Sequence, residues 1–345
     1  MPARRLLLAV ALLAAWSADA AARDLVVVAR GKPMQEAVQR VYVQPFVQGT
    51  DIPVQLESWD GGLDALRTQA KAPDNTWDVV EVNADELATG CTEGLFEKLD
   101  WSAIGGKDHY LPQGVSDCGV GATLANLVLA WDRDKFPAAP AWSDFWDVAK
   151  YPGKRGLYKG VRGNLEFALI ADGVSPPDVY KVLATSDGVD RAFRKLDQLK
   201  PYIVWWQTGA EAAHILSSGD VLMTTAPSGQ IAIANRAEHR NFGIQWNASL
   251  YRVDSWAVLK GSQALRQATQ FLYLAGTPAI EARLLEATGK SGLAKGVNDG
   301  LSAELAAVSP TNPPNLNVAV RIDNSFWHDN YAKLQQRFDA WLAAH

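Results

Sequence analysis

Short apolar runs alternate with segments of helical periodicity from residue 24 onward, and this alternation restricts the fold more than any other feature of the chain. Asp24 to Ala29 reads Asp-Leu-Val-Val-Val-Ala, an unbroken apolar run of the kind a strand buried on both faces requires. Met34, Ala37, Val38, Val41, Tyr42 and Phe46 then recur at helical spacing. Ile52 to Leu56 predicts a second strand, Leu63 to Ala70 a helix, Trp77 to Val82 a third strand, and Asp85 to Cys91 the next helix. Strand–helix repetition of this kind is the signature of a parallel α/β sheet. The pattern resumes with strands predicted at Leu124 to Trp131, Gly156 to Tyr158, Ile203 to Trp206 and Val221 to Thr225. Helices are predicted at Asn164 to Asp172, Asp187 to Leu199 and Glu211 to Ser217. Leu250 to Leu259 is a long unbroken strand candidate. Two helices follow it, at Gln263 to Ala275 and Pro278 to Thr288, and an amphipathic helix closes the chain from Asn324 to His345. The 345 residues therefore divide into two α/β blocks of ordinary domain size with chain left over.

The first residues read as an export signal. Arg4 and Arg5 precede the apolar run Leu6 to Ala15, and Ala18, Ala20 and Ala22 supply a small-residue exit, with cleavage expected after Ala20 or Ala22. A buried N-terminal helix is the competing reading. The run is too short for a membrane span of about 20 residues. An exported chain meets an oxidising compartment, which makes a disulfide the leading reading for the only two cysteines, Cys91 and Cys118. Two buried free thiols are the alternative, and no His lies close enough in sequence to suggest zinc.

Charge and motifs remove several functions. Lys and Arg number 33 against 38 Asp and Glu, a net charge of −5, which argues against binding nucleic acid through phosphate neutralisation. No Gly-x-Ser-x-Gly elbow occurs, and Gly289-Lys290-Ser291 lacks the upstream glycine of a phosphate-binding loop. The five histidines are scattered without a metal-ligand spacing, so neither a metal nor a cofactor is expected. Paired carboxylates in a cleft would still permit an exported hydrolase, and this is kept as a distant alternative to a non-enzymatic binder.

Several ordered stretches carry a family resemblance: Trp77-Asp78-Val79-Val80, Ala88 to Leu95, Asp117 to Gly121, Trp142 to Asp147, Tyr151 to Gly156, Asn164 to Leu169, Val204-Trp205-Trp206 and Asp254 to Val258. Over about residues 24–343 the chain resembles bacterial periplasmic solute-binding proteins of ABC transporters, in the spermidine/putrescine-binding branch. The resemblance implies a type II periplasmic-binding-protein fold: α/β, two lobes joined by crossover strands, with a ligand cleft between them that closes by hinge motion. It implies a monomer in the periplasm that delivers a small amine to an inner-membrane ABC permease. The expected division is 1–22 signal peptide, 23–130 first lobe, 131–252 second lobe, and 253–345 returning mainly to the first lobe with a C-terminal helix.

In polyamine-binding relatives aromatic rings sandwich the methylene chain and carboxylates hold the ammonium ends, consistent with cation–π attraction and with the cost of an unpaired buried charge. Carried over to this chain, the ligand set becomes Arg30, Trp59, Asp60, Asn83, Asp85, Trp205, Trp206, Thr225, Ser228, Arg252 and Asp254. Strand alternation lets only one of Trp205 and Trp206 reach the ligand. The remaining tryptophans are assigned to packing, except Trp101, which is unassigned, and Trp16 in the signal. The chain departs from the polyamine pattern at Lys159, Arg162 and Arg252, which are basic where acidic or aromatic residues are usual. Arg252 and Asp254 share a strand face. A cleft with both signs suits a zwitterion: an amino acid, an ω-amino acid or an aminophosphonate.

Overall fold

The computed structural model describes residues 23–344 except residue 74, and the side chain of residue 33 is also left aside. The signal-peptide reading of residues 1–22 lies outside the described residues.

Nine strands form one sheet. They are β1 (Leu25–Arg30), β2 (Val54–Trp59), β3 (Val79–Val82), β4 (Gly119–Asp132), β5 (Arg155–Tyr158), β6 (Ile203–Trp206), β7 (Met223–Pro227), β8 (Phe242–Val258) and β9 (Val320–Arg321). The order is β2-β1-β3-β8-β4-β7-β5-β6, with β9 on β8. β1 pairs in parallel with β2 and β3, and β5 pairs in parallel with β6 and β7, so each end of the sheet is a parallel unit. The two ends are joined by the antiparallel pair β4 and β8, of 14 and 17 residues. Near β3 this pair belongs to the first lobe, and near β7 to the second.

The strands predicted at Leu124 to Trp131 and Leu250 to Leu259 are therefore the crossovers, and both are longer than the apolar runs that announced them. Two irregularities interrupt their ladder, between Gly121 and Thr123 and between Leu127 and Leu129. At the second, β8 accommodates extra residues, and Ala248 takes a φ of 57°, a conformation disfavoured for a side chain with a Cβ.

Each half of the sheet is covered on both faces, which explains why its strands read as continuous apolar runs. In the first lobe Tyr42, Phe46, Trp256, Phe271 and Leu284 fill one side, and Leu66, Trp77, Val80 and Phe96 the other. In the second lobe Trp142, Phe145, Phe167, Phe193 and Leu196 form one core, and Trp206, Leu216 and Ile231 the other. Cys91 and Cys118 form a disulfide with Cα atoms 5.8 Å apart. It ties the end of the helix Ala84–Thr92 to the residue preceding β4.

The segment 253–345 does not return as one piece. Helices Leu265–Ala275 and Pro278–Thr288 pack in the first lobe, but the C-terminal helix Asn324–Ala343 inserts Trp327, Leu334 and Phe338 into the second-lobe core. A buried acid fixes it there. Glu166 accepts from Trp327 Nε1 at 2.8 Å, Tyr180 Oη at 2.9 Å and the Gly163 amide at 2.8 Å. The lobes also touch where Gly289, with φ 67°, meets Gly229; a Cβ at either position would collide with the other's backbone.

Candidate functional site

A cavity of about 570 Å³ lies between the lobes over the crossover strands. Asn83 and Asp85 enter it from the first lobe, at the start of the helix Ala84–Thr92. Ala125, Leu127, Leu250 and Arg252 form its floor on β4 and β8. Tyr158, Arg162, Trp206 and Gln207 come from the second lobe, and Tyr331 from the C-terminal helix. The wall thus lies beyond the carboxyl ends of β3, β5 and β6, where open α/β sheets leave room for ligands.

Asn83 is committed to its helix. Its side chain accepts from the Glu86 amide at 2.9 Å, and Glu86 accepts from the Asn83 amide at 2.9 Å, a reciprocal cap. Asp85, in the first turn, is free to face the cavity. Burial raises its carboxyl above the usual aspartate range, and Arg162 and then His328 pull it back. Arg162 lies 3.6 Å from Asp85 across the cleft, so this ion pair bridges the two lobes.

The guanidinium of Arg162 is also stacked, 5.4 Å from the Trp327 ring and 5.5 Å from Tyr331. Its Nε is buried without a hydrogen-bond partner. The backbone beside it is set by Gly163, whose φ of 90° favours glycine and where a Cβ would press on the Leu127 side chain. Arg252 is the second guanidinium on the wall. Its side chain is 54% exposed and its Nε is 3.8 Å from Asp254 Oδ2, while Asp254 is only 2% exposed beneath it. Trp206 forms an aromatic wall with Tyr158, the ring centres 5.0 Å apart, and its Nε1 has no partner.

Six expected ligand residues stand elsewhere. Trp59 is 7% exposed, packed edge-on to Trp77 at 5.5 Å, with its Nε1 donating to the Glu81 carbonyl at 3.0 Å. Arg30 covers that ring at 5.1 Å and pairs with Glu86, so its charge is already used. Asp60 is exposed outside the cavity wall. Thr225 is fully buried, and Ser228, 1% exposed, opens the helix Ser228–Ala237. Trp205 turns away from the cavity onto Phe338 at 5.7 Å and Trp341 at 6.1 Å. Alternation does admit one of the two tryptophans to the cleft, and that one is Trp206.

Lys159 is exposed and does not line the cavity, whereas Arg162 and Arg252 do. Tyr158 and Tyr331 escaped the sequence reading. Tyr331 lies on a helix whose apolar stripe signals packing, and nothing local marks the residue at its edge. A second cavity of about 590 Å³ opens between the helices Ser228–Ala237 and Pro278–Thr288, lined by Arg236, Trp246, Glu286 and Leu305, and none of the expected residues reaches it.

The model of the bacterial extracellular solute-binding proteins matches residues 41–313. The chain belongs to that family. The gamma-aminobutyric acid-binding protein of Pseudomonas aeruginosa is 40% identical over 330 residues, covering 95% of this chain and 94% of the relative. The solved structure of a GABA receptor superposes with a TM-score of 0.81 at 30% identity, covering 94% of this chain and 98% of the other. A spermidine/putrescine transporter substrate-binding protein from Streptococcus pneumoniae superposes at 0.74 with 19% identity, over 93% of this chain and 99% of that one. The likeness to the polyamine branch is therefore one of fold. This is a solute-binding protein with a two-lobed periplasmic-binding-protein fold, and among its described residues no helix is long and apolar enough to cross a membrane.

Proposed function

We propose that this protein captures a short ω-amino acid of the GABA type in the interlobe cavity and hands it, in the periplasm, to an ABC permease of the inner membrane. The observation that carries this reading is the mixed charge of the wall. Arg162 and Arg252 stand in the same cavity as Asp85, with Asp254 under Arg252.

A guanidinium fork favours a carboxylate, and a carboxylate favours an ammonium, so a zwitterion satisfies both without adding net charge. A polyamine would bring at least two cations beside two guanidinia. Like charges about 4 Å apart repel by about 4 kcal/mol at the effective dielectric of a protein surface. The Trp206–Tyr158 wall suits a short methylene chain, and the 40% identical relative that binds gamma-aminobutyric acid supports the same ligand class. In this reading the first lobe comprises residues 23–130 with much of 253–300. The second comprises 131–252 with the C-terminal helix. The protein acts alone and without cofactor.

Titration calorimetry on the ligand-free protein tests the reading. GABA is expected to bind at least 100-fold more tightly than putrescine or spermidine, and to be recovered unchanged. At about 100 times its dissociation constant it should add about 2.7 kcal/mol to stability. Tighter binding of putrescine overturns the ligand assignment, and consumption of GABA would return the hydrolase alternative.

A further inference from the structure

The floor of the cavity continues inward along one face of the sheet. Strand β8 sends Arg252, Asp254 and Trp256 to the same side. Ala125 lies opposite Arg252 and Thr123 opposite Asp254 on β4, and Glu81 lies opposite Trp256 on β3. Exposure falls steeply along this line: the Arg252 side chain is 54% exposed, Asp254 and Thr123 are 2% exposed, and Glu81 is 1% exposed. Beyond them lies the apolar core of the first lobe around Tyr42 and Phe271.

This buried polar step is unspent. Glu81 Oε1 and Thr123 Oγ1 have no hydrogen-bond partner, and neither does the Trp256 Nε1 donor. The other Glu81 oxygen accepts only the Arg30 amide, at 3.0 Å. Asp254 Oδ2 lies 3.8 Å from Arg252 Nε, longer than a hydrogen bond. Buried groups of this kind are costly unless something satisfies them, and three together, beside Asp254 and next to a ligand cavity, call for a polar occupant.

From this juxtaposition, and resting on the reading that the cavity takes an amine-bearing ligand, we infer that Glu81, Thr123 and Asp254 form an end-pocket for the ligand's primary ammonium group. An –NH₃⁺ carries three N–H donors, and Glu81 Oε1, Thr123 Oγ1 and Asp254 supply three acceptors. Trp256 Nε1 remains able to donate to either carboxylate. A quaternary ammonium has no N–H to offer and would leave these atoms unsatisfied. The polar step therefore selects amines by their hydrogens as well as by charge, while Arg162 and Arg252 remain for the carboxylate end. A rival occupant among the described residues is Lys290. Its charge acts on Glu81, although it makes no ion pair among the described residues.

Calorimetry on the wild type, Glu81→Gln and Thr123→Val decides the matter, with GABA, its N-trimethyl analogue and putrescine as probes. Glu81→Gln is expected to weaken GABA about 30-fold or more and Thr123→Val about tenfold, with ligand-free melting temperatures unchanged or raised. The trimethyl analogue should fail to bind the wild type. If both variants bind GABA within threefold of wild type, the end-pocket is wrong even though GABA binding stands. The same holds if Glu81→Gln lowers only the melting temperature, which assigns Glu81 to Lys290. If the wild type binds putrescine and not GABA, and Glu81→Gln weakens putrescine, the ligand reading fails and the ammonium pocket survives. Binding of neither amine overturns both.

Discussion

Arg162 holds together more of the site than any other side chain. It is stacked by Trp327 and Tyr331 and paired to Asp85 on the opposite lobe. Replacing it with Ala should weaken GABA about 10- to 100-fold, because a charge-assisted contact is worth about 1.5–3 kcal/mol, and calorimetry would read that loss. Asp254→Asn should also lose GABA affinity. If Asp254→Asn instead binds normally while Arg252→Ala abolishes binding, the amine end lies elsewhere. Arg252 and Asp254 were legible in sequence because two residues apart on a strand means one face. Trp59 and Arg30 were not, because their partners Glu81 and Glu86 lie more than twenty positions away in sequence. A different buried acid carries a pH prediction. Burial raises the Glu281 carboxyl from 4.5 to about 8, and its Oε2 accepts the Ala294 amide at 2.7 Å. A folded-state pKa above the unfolded one means the native protein holds the proton longer. This contribution to stability is complete below pH 4.5 and is lost as pH rises through about 8, at up to about 1.4 kcal/mol per unit. Urea unfolding at pH 5, 6, 7 and 8 should show that decline, and Glu281→Gln should flatten it.

Among the elements, two carry fastenings that can be tested directly. The disulfide Cys91–Cys118 ties a first-lobe helix that presents Asp85 to the central strand β4. Its loop length corresponds to about 3 kcal/mol of stabilisation through the unfolded state. Cys91→Ser/Cys118→Ser should therefore lower the urea midpoint, and an unchanged midpoint would mean the clip contributes nothing. The C-terminal helix is held by Glu166, whose carboxyl burial pushes upward while the Tyr180 and Trp327 donors pull it back. Trp327→Phe removes the indole donor and part of the stack under Arg162 at once. We expect about 1–3 kcal/mol of lost stability together with weaker GABA binding. Stability loss alone would separate the helix anchor from the site. Amphipathicity made this helix visible in sequence but carried no address. Its stripe fits either lobe equally well; the packing of Trp327, Leu334 and Phe338 and the Glu166–Trp327 hydrogen bond place it on the second.

At the scale of the whole molecule, the lobes meet through the β4–β8 pair, the Arg162–Asp85 bridge and the Gly229–Gly289 contact. Ligand binding in such an arrangement is expected to favour the closed form, and small-angle scattering should show a smaller radius of gyration with GABA than without. The alternation of apolar runs and helical stripes was enough to indicate an α/β chain in two blocks and a long strand at Leu250 to Leu259, and an export signal with two cysteines made a disulfide the leading reading, since each is a local pattern or a simple count. Strand period alone placed Arg252 beside Asp254 and admitted one tryptophan of the pair to the cleft. Only the tertiary structure decided that this one is Trp206, that Trp59 belongs to the core, that the last helix packs on the second lobe, and that Glu81 lies buried and unpaired behind Asp254. Those choices depend on which distant residues meet across the sheet, and hydrophobic periodicity, which reports whether a residue is buried, does not report what it is buried against.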